Sequence, residues 1–115
     1  MKQPVGLVIR RAAPLLALIA LAALVQSAVA AAELAIIQKN KQFSVPQVTI
    51  KVGDRLRFVN EDTVNHNVFS NGKGAEIDIL QRPGRADTVT FREPGTFELE
   101  CAIHPDMKLE VRVTR

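Results

Sequence analysis

The chemistry available to this chain is concentrated in a few side chains. Cys101-Ala102-Ile103-His104-Pro105-Asp106-Met107 places a thiol, an imidazole and a thioether within seven residues, and a second imidazole, His66, lies 35 residues before the cysteine. These are the only cysteine and the only two histidines, and Met107 is the only methionine besides Met1. Soft sulfur stabilises reduced copper and imidazole accepts both oxidation states. Two imidazoles, one thiolate and a weak thioether therefore suit copper cycling between Cu(I) and Cu(II). The same set is poor for zinc, which prefers harder or anionic ligands to a thioether. A single cysteine also excludes an intrachain disulfide framework, a CxxC zinc site and a dithiol redox pair.

Each of these residues also has a plainer reading. Cys101 could be a core thiol, His66 a hydrogen-bonded core or loop histidine, His104 simply exposed, and Met107 core filler. An unpaired thiol in an exported protein meets oxidants, which favours a ligand role for Cys101. A Cys101–His104 nucleophile and base pair is disfavoured, because no Gly-rich oxyanion-forming loop follows the cysteine and strand parity buries its sulfur. The reading is therefore not an enzyme. Two histidines cannot supply the His pairs of a trinuclear multicopper oxidase site. Glu61, Asp62 and Asp106 are expected to serve turns and solvation.

The elements that must position these donors are strands. From Glu33 onward the hydrophobic pattern alternates with period two, broken every eight to twelve residues or so by Gly, Pro, Asn and Asp. Strands are expected at Leu34 to Gln38, Gln47 to Val52, Arg55 to Asn60, His66 to Phe69, Glu76 to Leu80, Ala86 to Phe91, Thr96 to Cys101 and Lys108 to Thr114. Turns fall at Val52-Gly53-Asp54, Asn71-Gly72-Lys73-Gly74, Arg82-Pro83-Gly84 and Glu93-Pro94-Gly95. With no helix to cover a sheet face, the strands predict an all-β fold of two packed sheets. Successive strand residues point to opposite faces, so Phe97, Leu99 and Cys101 project inward, as do Leu109, Val111 and Val113. Extending the last parity back one step brings Met107 inward, and His104 is expected in the loop between the last two strands.

With these motifs in place the chain resembles the cupredoxins, the type-1 blue copper family. The resemblance is carried by Asn60-Glu61-Asp62-Thr63-Val64-Asn65-His66-Asn67-Val68 and by Pro94-Gly95-Thr96-Phe97-Glu98-Leu99-Glu100-Cys101 followed by the C-x-x-H-P-x-M loop. The loop spacing looks most like that of the amicyanins, and the likeness covers nearly all of Ala35 to Arg115. It implies a Greek-key β-sandwich of about eight strands with the metal at one end, and one-electron transfer between periplasmic redox proteins. It further implies His66, Cys101 and His104 as equatorial copper ligands, Met107 as the axial one, and Asn67 as a residue tying the ligand loops together. The chain departs from the family at Asn65, Glu100 and Leu109, where Pro, an aromatic and a small residue are common. Ile103 stands where amicyanin-like loops often carry Pro, so it keeps an N–H that could reach the Cys101 sulfur. Hydrogen bonds to a thiolate favour the oxidised ion, and Ile103→Pro is then expected to raise the potential. The alternative function is a periplasmic module that sequesters or delivers copper without electron-transfer turnover.

Met1 to Arg11 is basic, Ala12 to Val25 is apolar, and Ala28-Val29-Ala30 offers the small residues of a cleavage site. Residues 1–30 are therefore read as a signal peptide and 31–115 as one copper-binding domain, placed in the periplasm. Arg10-Arg11 leaves open whether export is general or twin-arginine. The formal charge of +3 comes entirely from Lys2, Arg10 and Arg11; without them twelve basic side chains face twelve acidic ones. A neutral domain with no Tyr, no Trp and no basic cluster lacks what nucleic-acid binding needs. The expected partners are redox proteins that give and take the electron. The mature domain is expected to be a monomer free of the membrane.

Overall fold

In the computed structural model the described residues are 1–6, 8 and 30–115; the core of the segment read as a signal peptide, residues 9–29, lies outside them. The described chain forms nine strands: β1 Glu33–Lys39, β2 Gln42–Phe43, β3 Gln47–Lys51, β4 Arg55–Asn60, β5 His66–Gly72, β6 Ala75–Gln81, β7 Ala86–Thr90, β8 Gly95–Cys101 and β9 His104–Thr114. They make two sheets, ordered β2-β1-β4-β7 and β3-β9-β8-β5-β6. Both sheets are mixed, because β1 pairs with β4 and β3 with β9 in parallel while the other pairs are antiparallel. This is the all-β fold of two packed sheets that the alternation predicts.

Alternation places the core. Leu56 and Phe58 from β4 face Leu99 from β8 and Leu109 and Val111 from β9, all without exposed surface. Ile36, Ile50, Val68, Ile77, Phe91, Phe97 and Val113 complete the packed interior, and Cys101 and Met107 belong to the same cluster. Burying one such aliphatic side chain contributes roughly 1.5–3 kcal/mol, so the two apolar faces hold the sheets together.

The structure adds a ninth strand, carries β5 on to Gly72 so that Asn71 and Gly72 are paired with β6 rather than lying in the expected turn, and changes the last hairpin. β2 is a two-residue strand that folds back on β1, with Gln38 opposite Phe43 and Lys39 opposite Gln42. Its turn residues Asn40 and Lys41 both have positive φ, at 52° and 56°. That pair of left-handed residues is what a tight two-residue hairpin requires, because its twist matches that of the flanking strands.

The third change concerns the last hairpin. His104 is the first residue of β9, paired with Cys101, rather than a loop residue. Glu100 pairs with Lys108 and Cys101 with His104, so Pro105, Asp106 and Met107 have no partners on β8. Bulges of this kind re-aim side chains near strand ends. Here the bulge lets a strand residue, His104, and a buried one, Met107, both belong to the pole where β8 ends.

Candidate metal centre

The centre is built where three strands reach the same pole. β5 begins with His66 directly after the segment 61–65, which crosses from the first sheet to the second. β8 ends with Cys101 pointing inward after Phe97 and Leu99. Ala102 and Ile103 form the two-residue turn that returns the chain to His104. Met107 then enters the interior in phase with Leu109, Val111 and Val113.

The side chains converge as the donor chemistry requires. Cys101 Sγ lies 3.9 Å from His66 Nδ1 and 3.6 Å from His104 Nδ1. One ligand atom from each of the three residues fits within a 4.8 Å cluster. A first-row ion about 2.0–2.1 Å from nitrogen and about 2.3 Å from sulfur, with angles near 120°, spaces N and S by roughly 3.7 Å. The observed separations therefore match a shared ion without rearrangement. The imidazole rings meet at 61° with centroids 5.0 Å apart, and each turns its Nδ1 toward the sulfur. His66, Cys101 and Met107 are buried and His104 is partly exposed.

A carboxylate fixes the tautomer of His66. Asp62 Oδ2 lies 2.8 Å from Nε2 and also accepts the Lys41 backbone N–H at 2.9 Å. The Lys41 N–H first, then His66 and the Thr63 N–H, hold the Asp62 carboxyl well below its ordinary value, at about 2. An ionised carboxylate can only accept, so Nε2 carries the proton and the Nδ1 lone pair faces the sulfur. Metal-binding histidines are commonly held this way by their outer nitrogen. In the sequence Asp62 reads as a turn residue. Its position four before His66 signals nothing until the segment 61–65 is folded into a tight crossing.

Asn67 bridges the two ligand segments. Its backbone N–H lies 3.2 Å from Cys101 Sγ, and its Oδ1 accepts the Ala102 N–H at 3.3 Å. Its Nδ2 donates to Asp78 Oδ1 at 2.8 Å, which holds the carboxamide in place. The backbone N–H set against the sulfur in this structure is that of Asn67, and Ile103 is 52% exposed beside the turn.

Comparison with known proteins points the same way. The family model for a cupredoxin-like domain matches residues 12–113. Amicyanin-alpha of Methylorubrum extorquens is 38% identical over 76 residues, spanning 63% of this chain and 64% of that protein. Amicyanin of Paracoccus denitrificans is 32% identical over 76 residues, 63% of this chain and 58% of its own length. The matched part is thus under two thirds of either relative. Among solved structures, an amicyanin variant in the Cu(I) form superposes with a TM-score of 0.64 at 25% identity, over 70% of this chain and 81% of that one. A copper-containing nitrite reductase from Thermus scotoductus superposes at 0.66 and 26% identity, over 72% of this chain and only 22% of its own.

Proposed function

Because this chain belongs to the cupredoxin-like family, we propose that it is a type-1 copper protein that carries single electrons between redox partners in the periplasm. Copper is its cofactor, in accord with the relatives and with the donor set. His66 Nδ1, Cys101 Sγ and His104 Nδ1 would hold it as the three close ligands, with the Met107 sulfur as the weak fourth. The observation that carries the reading is the convergence of two imidazole nitrogens on one buried sulfur at ligand spacing.

When bound, copper supplies a one-electron couple between Cu(I) and Cu(II). The residues of the chain prepare that exchange and limit its cost. Cys101 arrives from a packed strand, so its sulfur has little room to move. Asp62 keeps the His66 proton on Nε2, and Asn67 ties Cys101 to β5. Ligands fixed by rigid elements shift little when charge changes, which keeps reorganisation small. His104 is the partly exposed ligand, flanked by exposed Ala102, Ile103 and Pro105, and gives the electron a route to a docked partner.

The test is direct. Cu(II) added to the purified protein should give an intense blue colour that is absent from Cys101→Ser; a colourless parent protein refutes the site. Fast reversible reduction with the metal retained then supports electron carriage. Slow exchange coupled to metal release would instead assign the protein to copper sequestration or delivery.

A further inference from the structure

Three polar side chains with no exposed surface, Gln38, Asn60 and Gln81, lie between the sheets at the pole that carries His66. Strand register puts them there. Gln38 sits opposite Asn60 in the β1–β4 pair, and Gln81 sits opposite His66 in the β5–β6 pair.

Their hydrogen bonds join the two sheets. Gln38 Nε2 donates to Gln81 Oε1. Gln81 Nε2 donates to the Phe58 carbonyl at 3.0 Å and to Asp87 Oδ2 at 2.9 Å. Asn60 Nδ2 donates to the carbonyls of Gln81 and Val64, both at 2.9 Å, while its Oδ1 accepts the Asp62 N–H at 2.9 Å. The Gln38 main-chain carbonyl accepts the Glu61 N–H at 3.0 Å. Three of these bonds end on the segment 61–65, at Glu61, Asp62 and Val64.

Such a network is a costly way to fill space. Buried carboxamides give up their bonds to water, and Gln38 Oε1 finds no partner among the described residues. Apolar side chains of similar volume would seal the same gap at a lower desolvation cost. What they lack is direction, whereas the Asn60 carboxamide fixes the Asp62 N–H and the Val64 carbonyl of the crossing segment, and the other bonds brace Asn60 and its neighbours between the sheets.

We propose that Gln38, Asn60 and Gln81 are positioning residues for His66: Asn60 grips the segment 61–65 directly, and Gln38 and Gln81 brace the strands on either side of it, so that Asp62 meets Nε2 and Nδ1 faces Cys101 before any metal arrives. The proposal rests on the metal-site reading above, and its first readout needs no metal. In the metal-free full chain, nitrogen-15 NMR follows solvent exchange of the His66 Nε2 proton. That exchange should be slow in the parent and about tenfold faster in Gln81→Met, which removes the three side-chain bonds that brace Asn60's surroundings; tenfold corresponds to the net worth of about one hydrogen bond passed on to the crossing segment. Gln38→Met, which removes one bond together with the unpartnered oxygen, carries the test if Gln81→Met does not fold.

In the copper-loaded protein both variants should shift the thiolate-to-Cu(II) absorption bands and slow electron self-exchange. Ser70→Ala, which removes a buried hydroxyl that bonds only within its own hairpin, should leave both as in the parent. Methionine variants that change only the thermal midpoint, with parental proton exchange and parental spectra, overturn the proposal. A parent that never turns blue would defeat the copper reading, while the proton-exchange measurement would still decide the positioning role.

Discussion

Asp62 is the residue whose removal isolates the outer support of the site. Asp62→Ala takes away the acceptor of the His66 Nε2 proton and of the Lys41 N–H together. Loss of such a partner commonly costs about 10–100-fold in metal affinity, so Cu(II) competition titration should show weaker binding by that order with the four ligands intact. Ile103→Pro asks a different question. Since the Asn67 N–H is the donor set against the sulfur, this substitution should leave the reduction potential essentially unchanged by voltammetry. A clear rise would mean that the Ile103 N–H reaches the sulfur once the metal is bound. The donors themselves were legible, because Cys, His and Met are scarce here and their spacing is tied to one hairpin. Asp62 and the buried amides were not. A carboxylate four residues before a histidine, or a glutamine in a strand, acquires meaning only when another element's backbone is brought against it.

The strands were legible wherever alternation ran for five residues or more, as in Thr96 to Cys101 and Lys108 to Thr114. β2 was not, since two residues carry no period and Asn40-Lys41 lacks the glycine that usually marks a left-handed turn. The start of β9 was hidden for a related reason: three unpaired residues interrupt its pattern, so His104 read as loop. Two measurements belong at this scale. Leu99→Ala, from the fully buried centre of β8, should lower unfolding free energy by about 2–5 kcal/mol in chemical denaturation. The turn before β4 predicts a pH effect. Asp54 accepts the Lys51 and Ala32 N–H groups, and these hold its carboxyl below the ordinary 3.8. The unfolded chain therefore takes up that proton more readily than the folded one, and the stabilisation is complete above 3.8 and lost as pH falls through the folded-state value. The stability gap between the parent and Asp54→Ala should be constant near neutrality and narrow below about pH 3.8, as measured by denaturation at a series of pH values.

Across the whole molecule the charges after the signal-peptide reading balance, twelve against twelve, and cross-strand pairs such as Lys108 with Glu98 spread both signs over the sheet surface. A balanced surface exerts little long-range pull, so electron self-exchange should vary by less than about threefold between low and physiological salt. A steep dependence would expose a local charge cluster at the docking face. The bulged hairpin has a consequence for how the molecule comes into being. Cys101, His104 and Met107 are near neighbours along the polypeptide even before any sheet exists, so gathering them demands little closure entropy, whereas His66 must be recruited across 35 intervening steps. A nascent chain can thus already offer a partial claw of sulfur and nitrogen, and the arrival of His66 is the event that turns loose capture into a finished cage.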